Sequence, residues 1–128
     1  MVGSAAWRTG GIPFRDANTL GVGRMVTNIV LMSFTDKGVV DIKNSPRRIA
    51  EATRLWESMG GKVLGVYLTM GEYDLVAIGE GPDEQTAAKF ALALSAAGTV
   101  RTTSLPAFGL DEARHIVEGV PENIVAAV

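Results

Sequence analysis

Residues 62–79, KVLGVYLTMGEYDLVAIG, have the pattern of two apolar strands joined by a tight turn. Valine, leucine, isoleucine and tyrosine fill both halves of the stretch, which is typical of strands. Gly71-Glu72 marks the turn, because glycine adopts backbone conformations that other residues resist. The stretch therefore predicts a β-hairpin, with one strand over 62–70 and the other over 73–79.

A helical pattern precedes this hairpin and another follows it. The first begins at Ser45-Pro46, where serine is expected to cap the helix and proline suits its first position. Apolar residues then recur at three- and four-residue spacing until Gly60-Gly61 ends the helix. The second helix, rich in alanine and leucine, is predicted over 83–97.

Two further strands complete the pattern. Residues 27–34 (TNIVLMSF) and 99–105 (TVRTTSL) have strand composition, and Pro106 is expected to end the second of them. A loop is predicted over 35–45 and a short last helix over 111–117. The order of the main elements is β-α-β-β-α-β.

The two halves of this order repeat. The first helix–strand unit aligns with the second as Ala50 with Ala87, Leu55 with Leu92, and Gly61 with Gly98. A doubled βαβ unit with right-handed crossovers gives a four-stranded antiparallel sheet with both helices on one face. The predicted fold class is therefore α+β, ferredoxin-like βαββαβ.

One face of such a sheet lacks a cover. In the first strand Ile29 and Leu31 point to one face, and Val30 and Met32 point to the other. The uncovered patch would exceed the few hundred Å² that monomers usually expose. We expect two sheets to pair face to face in a homodimer, or in a larger even oligomer. The alternative is that residues 1–25 cover this face of the sheet.

The composition excludes several classes of protein. The chain has 128 residues, of which 47 % are hydrophobic, enough for one core and one domain. Its lack of cysteine excludes disulfide scaffolds, zinc–thiolate sites and thiol nucleophiles. A net charge of −2 argues against a nucleic-acid partner, and no apolar run reaches a membrane span. We expect a cytoplasmic location, no membrane association and no cofactor. No metal is expected either, since His115 has no second ligand at suitable spacing.

The two ends of the chain differ from the middle. Residues 1–25 contain five glycines and one proline and show no apolar periodicity. They are predicted to be a flexible leader, with Met25 as an alternative start and an arm over the sheet as the other interpretation. The folded domain is predicted over 26–118, with a weakly ordered tail over 119–128.

Three segments, in order, resemble the GYD domain family, which is named for its glycine-tyrosine-aspartate turn. They are SFTDKG (33–38), GEYDLVAI (71–78) and VRTTSLPAF (100–108). The turn and the threonine-rich last strand are also similar to the effector-binding domain of feast/famine (Lrp/AsnC-type) transcription regulators. That domain oligomerises through its sheet and binds amino acids at subunit interfaces. The resemblance implies a dimeric α+β barrel, and it implies no particular activity.

Four side chains are candidates for a ligand site: Tyr67, Tyr73, Asp74 and Arg101. Asp74 suits a ligand donor group or a cation, but it also suits the backbone amides of the turn, beside which Tyr73 would pack. Arg101 lies among valine, threonine and serine, and a charge there needs a partner. That partner is a ligand carboxylate or a salt bridge to Asp74 or Glu72, unless the strand end is exposed. Tyr67 also fits a dimer interface.

Two functions from different classes remain open. The first is a small-molecule-binding or sensor module without catalysis, whose ligand is an amino acid or another small carboxylate. The second is a small cofactor-independent enzyme of the dimeric α+β barrel type, an isomerase or monooxygenase, with Tyr67, Tyr73 and Asp74 moving protons. A buried pocket with a carboxylate of raised pKa would favour the enzyme, and a shallow cleft between subunits would favour the binding module.

Overall fold

Four strands and four helices make up most of residues 25–122, the part of the chain that the structure, a computed structural model, describes. In chain order they are β1 (Val26–Phe34), α1 (Asp36–Val40), a 3-10 turn (Ile42–Asn44), α2 (Ser45–Ser58), β2 (Lys62–Leu68), β3 (Leu75–Gly81), α3 (Glu84–Ala97), β4 (Val100–Ala107) and α4 (Leu110–Glu118). The predicted leader lies outside these residues except for Met25. The predicted tail lies inside them only as far as residue 122.

The strands form one antiparallel sheet in the order β2-β3-β1-β4. β1 lies inside the sheet, where Ile29 stands between Ile78 of β3 and Leu105 of β4. Helices α2 and α3 pack on the face that carries Met32 and Leu75, and these two side chains are buried. The α+β class and the ferredoxin-like βαββαβ order predicted from the sequence are confirmed.

The predicted loop over 35–45 is instead helical. Its first turn is α1, which Thr35 caps: the backbone N–H of Gly38 donates to the Thr35 hydroxyl at 3.2 Å. A 3-10 turn then leads directly into α2, so that Asn44 is the N-cap residue and makes no side-chain capping bond. Ser45, predicted as the cap, is the first helical residue, and its hydroxyl donates to the carbonyl of Ile42.

Pro106 lies inside β4 and does not end it. Because β4 is an edge strand of the sheet, proline is tolerated there although it lacks a backbone N–H. The strand continues for one residue beyond Pro106, to Ala107.

A β-bulge in β2 changes which side chains share a face. Strict alternation predicts Val63 and Tyr67 on the same face, but the pairing with β3 shifts between Val63 and Gly65. The extra residue turns Val63 toward the helices beside Val66, and it leaves Tyr67 on the opposite, outer face.

Helix α3 begins one residue later than predicted, at Glu84, and ends at Ala97 as predicted. The Asp83 carboxylate caps it by accepting the Thr86 backbone N–H at 2.7 Å, and this hydrogen bond lowers the pKa of Asp83. Because folding lowers the pKa of Asp83, the charged cap stabilises the fold at pH values above the pKa that Asp83 has in the unfolded chain. This stabilisation is lost as the pH falls through the lowered value. Gly98 ends the helix with φ +86°.

Trp56 of α2 is the centre of the small core. Its side chain is 6 % exposed, its ring lies 5.0 Å from that of Phe90, and its Nε1–H donates to the Lys62 carbonyl at 3.3 Å. Two glycines make room for the indole: a Cβ on Gly61 would lie 2.1 Å from the ring, and one on Gly81 would lie 2.5 Å from it.

Candidate functional site

The turn between β2 and β3 is fastened to the end of β1. The Phe34 backbone N–H donates to the Asp74 carboxylate at 2.8 Å, and the Asp74 N–H donates to the Met32 carbonyl at 2.8 Å. Within the turn, the Thr69 hydroxyl donates to the Tyr73 carbonyl at 2.6 Å. Gly71 has φ +121°, the positive value that the sequence predicted there. Asp74 therefore satisfies a backbone amide, though the amide belongs to β1.

The four predicted site residues do not form one cluster. Tyr67 lies on the outer face of β2, where its ring covers Gly65, and it is 56 % exposed. Arg101 lies on the same face but on β4, opposite Ser33. Three strand spacings separate β2 from β4, about 14 Å. Asp74 and Arg101 both lie at the end of β1, on either side of it.

The salt bridge predicted for Arg101 is absent from the described part of the chain. Within residues 25–122 the guanidinium makes no ion pair, either with Asp74 or with Glu72. The side chain is exposed at the edge strand, which was the third alternative for it. Water can therefore solvate its charge without a partner.

A cavity that the sequence did not reveal lies between the sheet and the helices α2 and α3. Its volume is about 130 Å³, and its lining is mostly apolar, with Val30 and Ala77 from the sheet, Ile49 and Ala52 from α2, and Phe90 and Leu94 from α3. An apolar cavity of about 150 Å³ in another protein takes up benzene. The space therefore suits a small ring or a short branched chain.

Asn28 interrupts the apolar lining at one end of the cavity. Its side chain is only 8 % exposed, and its Nδ2–H donates to a Glu84 carboxylate oxygen at 3.4 Å. A second hollow of about 130 Å³ adjoins the cavity here, and both are lined by Asn28, Ala87 and Ser104. In the sequence, the available signal was that Asn28 occupies the same face of its strand as Val30, Met32 and Phe34, which are all apolar.

Phe34 of the segment SFTDKG lines the opposite end of the cavity, and the rest of the segment packs against the end of α3. The Thr35 hydroxyl donates to the Gly98 carbonyl at 2.6 Å, and Lys37 Nζ donates to the Ala97 carbonyl at 3.2 Å. A Cβ on Gly38 would lie 2.2 Å from the Thr99 carbonyl oxygen, so only glycine lets α1 approach this closely. The segment thus joins the end of β1 to the end of α3.

Arg48 stands at the same end, and its charge is already paired. Its guanidinium donates to the Asp41 carboxylate at 2.8 Å and to the Asp41 carbonyl at 2.9 Å. Within residues 25–122, no group of three or more histidine, cysteine, aspartate or glutamate side chains could hold a metal ion. His115 is exposed in the last turn of α4. None of the described helices is long and apolar enough to cross a membrane.

The structure is a small α+β domain with three distinguishing features. They are the ferredoxin-like sheet, the glycine-tyrosine-aspartate turn fastened to β1, and the SFTDKG segment packed against the end of α3. The chain belongs to the GYD domain family, whose model matches residues 29–117. The family predicted from the three segments is confirmed.

One relative extends this comparison. It is a protein of Thermus thermophilus named glutamine synthetase and cystathionine beta-lyase binding protein. This chain is 37 % identical to it over 84 residues, which cover 65 % of this chain and 88 % of the relative. No solved structure gives a significant match.

Proposed function

We propose that this chain is a binding domain without catalysis that holds a small, mainly apolar organic molecule in the cavity between its sheet and helices. The observation that carries the proposal is the cavity itself, which is apolar along most of its length and meets one buried amide, Asn28. Cavities of this kind are the usual sites of small-molecule binding.

The lining also favours binding over the isomerase or monooxygenase alternative. It contains no histidine, lysine, aspartate or glutamate, the side chains that most often move protons in catalysis. Glu84 borders only the adjoining hollow, and it lies at the exposed start of α3. Proton transfer inside the cavity would therefore have to rely on serine, threonine or water.

The four residues predicted from the sequence stay a second hypothesis for the ligand site. An amino acid or small carboxylate held by Arg101 would lie on the outer face, away from the cavity. The distance between Tyr67 and Arg101 argues against one site for both within a single copy of the chain. A cytoplasmic location likewise stays a prediction.

Filling the cavity is expected to abolish binding of small aromatic molecules. In a thermal-shift experiment, saturating toluene or benzyl alcohol should raise the melting temperature of the wild type by about 5 °C. Ala77→Leu places a larger side chain in the cavity and should remove this shift. Ala93→Leu makes the same change on the exposed side of α3 and should keep it.

Two results would contradict the cavity proposal. One is a wild type that responds to no aromatic probe, and the other is an Ala77→Leu protein that responds fully. If Ala77→Leu does not fold, Ala91→Leu fills the same cavity from α3 and replaces it in the experiment.

The outer face of the sheet is the surface that we propose for self-association. Two apolar rows cross it from strand to strand: one joins Leu105, Ile29 and Ile78, and the other joins Leu31, Val76 and Tyr67. Neither α2 nor α3 reaches this face. A second copy would present the same rows, so that two copies match each other about a twofold axis.

A protein partner is the second candidate function, and the name of the relative favours it. That protein is named for binding glutamine synthetase and cystathionine beta-lyase. The surface that fits such a partner is α4, where the apolar side chains of Leu110 and Val117 are 71 % and 68 % exposed. Exposed apolar groups on a short amphipathic helix are typical of docking surfaces.

Charges on α4 are expected to weaken binding to an enzyme partner at least tenfold. The test uses purified glutamine synthetase and cystathionine beta-lyase from the organism that encodes this chain, and it measures binding by analytical ultracentrifugation. Leu110→Lys with Val117→Lys should lose the complex, whereas Val40→Lys, at an even more exposed site on α1, should keep it. If the wild type binds neither enzyme at micromolar concentration, this candidate is wrong.

A further inference from the structure

The Asn28 end of the cavity has more hydrogen-bonding capacity than the protein uses. Among the described residues, Asn28 is the one polar side chain that is more than nine-tenths buried. A side-chain amide offers two N–H donors and a carbonyl acceptor. Within residues 25–122 the Asn28 side chain makes one hydrogen bond, to Glu84, and at 3.4 Å it is long. Within the described residues no side-chain nitrogen or oxygen is both fully buried and unpaired, so the unused oxygen of Asn28 faces accessible space. The cavity is where further partners would lie.

The charge at this end of the cavity is negative. Glu84 is the first residue of α3, and within the described residues it makes no ion pair. The adjoining hollow is otherwise lined by Ala87, Ala88, Ser104, Pro106 and Asn28, none of which carries a positive charge. The other end has Arg48, whose guanidinium is occupied by Asp41. A carboxylate would therefore meet Glu84 as a like charge and find no free cation in the lining.

We propose that the ligand of this domain is an apolar molecule with a single hydrogen-bond-donating head, a hydroxyl, amine or primary amide. The apolar body fills the main cavity, and the head donates to the Asn28 side-chain oxygen and the Glu84 carboxylate. This inference rests on the proposed function of the cavity and assigns its ligand class. For this site we thus propose a ligand that donates hydrogen bonds, instead of the carboxylate ligand that the sequence suggested.

The test uses five probes that have the same phenyl ring and differ in the head group: toluene, benzyl alcohol, benzylamine, benzamide and benzoate. Their dissociation constants are measured by isothermal titration calorimetry on the wild type and on Asn28→Leu and Glu84→Gln. Glu57→Gln on the exposed side of α2 is the matched control, since it removes the same charge away from the cavity. Asn28→Leu is close to isosteric, and circular dichroism checks that each variant is folded.

The expected result is a loss that depends on the head group. Asn28→Leu should weaken the binding of benzyl alcohol and benzamide about tenfold, and it should leave the binding of toluene unchanged or make it tighter. Glu84→Gln should weaken the binding of benzylamine about threefold, because Glu84 is solvent-exposed, and should improve the binding of benzoate, while Glu57→Gln should change the binding of none of the five. Because Glu84 is exposed at a helix start, its variant tests the inference even if Asn28→Leu does not fold.

Two outcomes overturn the inference, and they are distinguishable. In the first, toluene binds but neither variant weakens the binding of the probes with donor head groups, or benzoate binds most tightly. The cavity then binds ligands and only the head-group assignment is wrong. If no probe binds to the wild type, the proposed function is wrong and the ligand class is wrong with it.

Discussion

Trp56→Ala is expected to destabilise the fold by about 3–5 kcal/mol, the usual range for removing a large aromatic side chain from a core. The indole is buried, packs on Phe90 and donates to the Lys62 carbonyl. Its loss would also enlarge the cavity that it lines, and the neighbouring small residues cannot fill the space. The measurement is urea unfolding followed by circular dichroism.

The glycines around the indole provide an independent test of this packing. A methyl group on Gly61 or Gly81 would overlap the ring, so Gly61→Ala and Gly81→Ala should each destabilise by about 1–3 kcal/mol. Leu92→Ala is the control, because Leu92 is an exposed side chain of α3 and its removal should change stability by less than about 0.5 kcal/mol. Equal losses for Trp56→Ala and Leu92→Ala would show that the indole does not organise this core.

The sheet could be predicted because each strand carries its own local signal. β1, β2, β3 and β4 are dense in β-branched or apolar residues, and glycine or proline marks most of their ends. The helix α1 could not be predicted in the same way. Its cap, Thr35, is held by the Gly98 carbonyl, and its close approach depends on Gly38 lying against Thr99. Both contacts join residues about sixty positions apart, and local sequence does not show them.

The same limit applies to the candidate site. The glycine-tyrosine-aspartate turn is contiguous and could be recognised, and the positive φ of Gly71 follows from its residue type. The cavity is assembled from β1, β2, β3, β4, α2 and α3, so it exists only after the elements have packed. Asn28 carried a signal, since a polar residue at an inward strand position needs a partner. Without the register of β1 that partner could not be identified.

Ile78→Glu is expected to convert the proposed dimer to a monomer. Ile78 lies near the middle of the outer face, in β3, flanked by Ile29 on one side and Gly65 on the other, and some of its atoms also border the cavity. In a twofold interface the change places two carboxylates in one contact, and burying an unpaired charge costs several kcal/mol. Multi-angle light scattering at micromolar concentration should then give the mass of one chain, 13.5 kDa, against twice that mass for the wild type.

Leu92→Glu makes a comparable change on the exposed side of α3 and should leave the dimer intact, since that side chain lies in the helix layer and not on the outer face. Both variants should keep the wild-type circular dichroism spectrum, because an outer-face sheet position and an exposed helix position each tolerate glutamate in a folded monomer. A wild type that is monomeric at micromolar concentration would contradict the self-association proposal directly. A dimer that Leu92→Glu dissociates and Ile78→Glu does not would transfer the interface to the helices. The two apolar rows of the sheet would then not be the self-association surface.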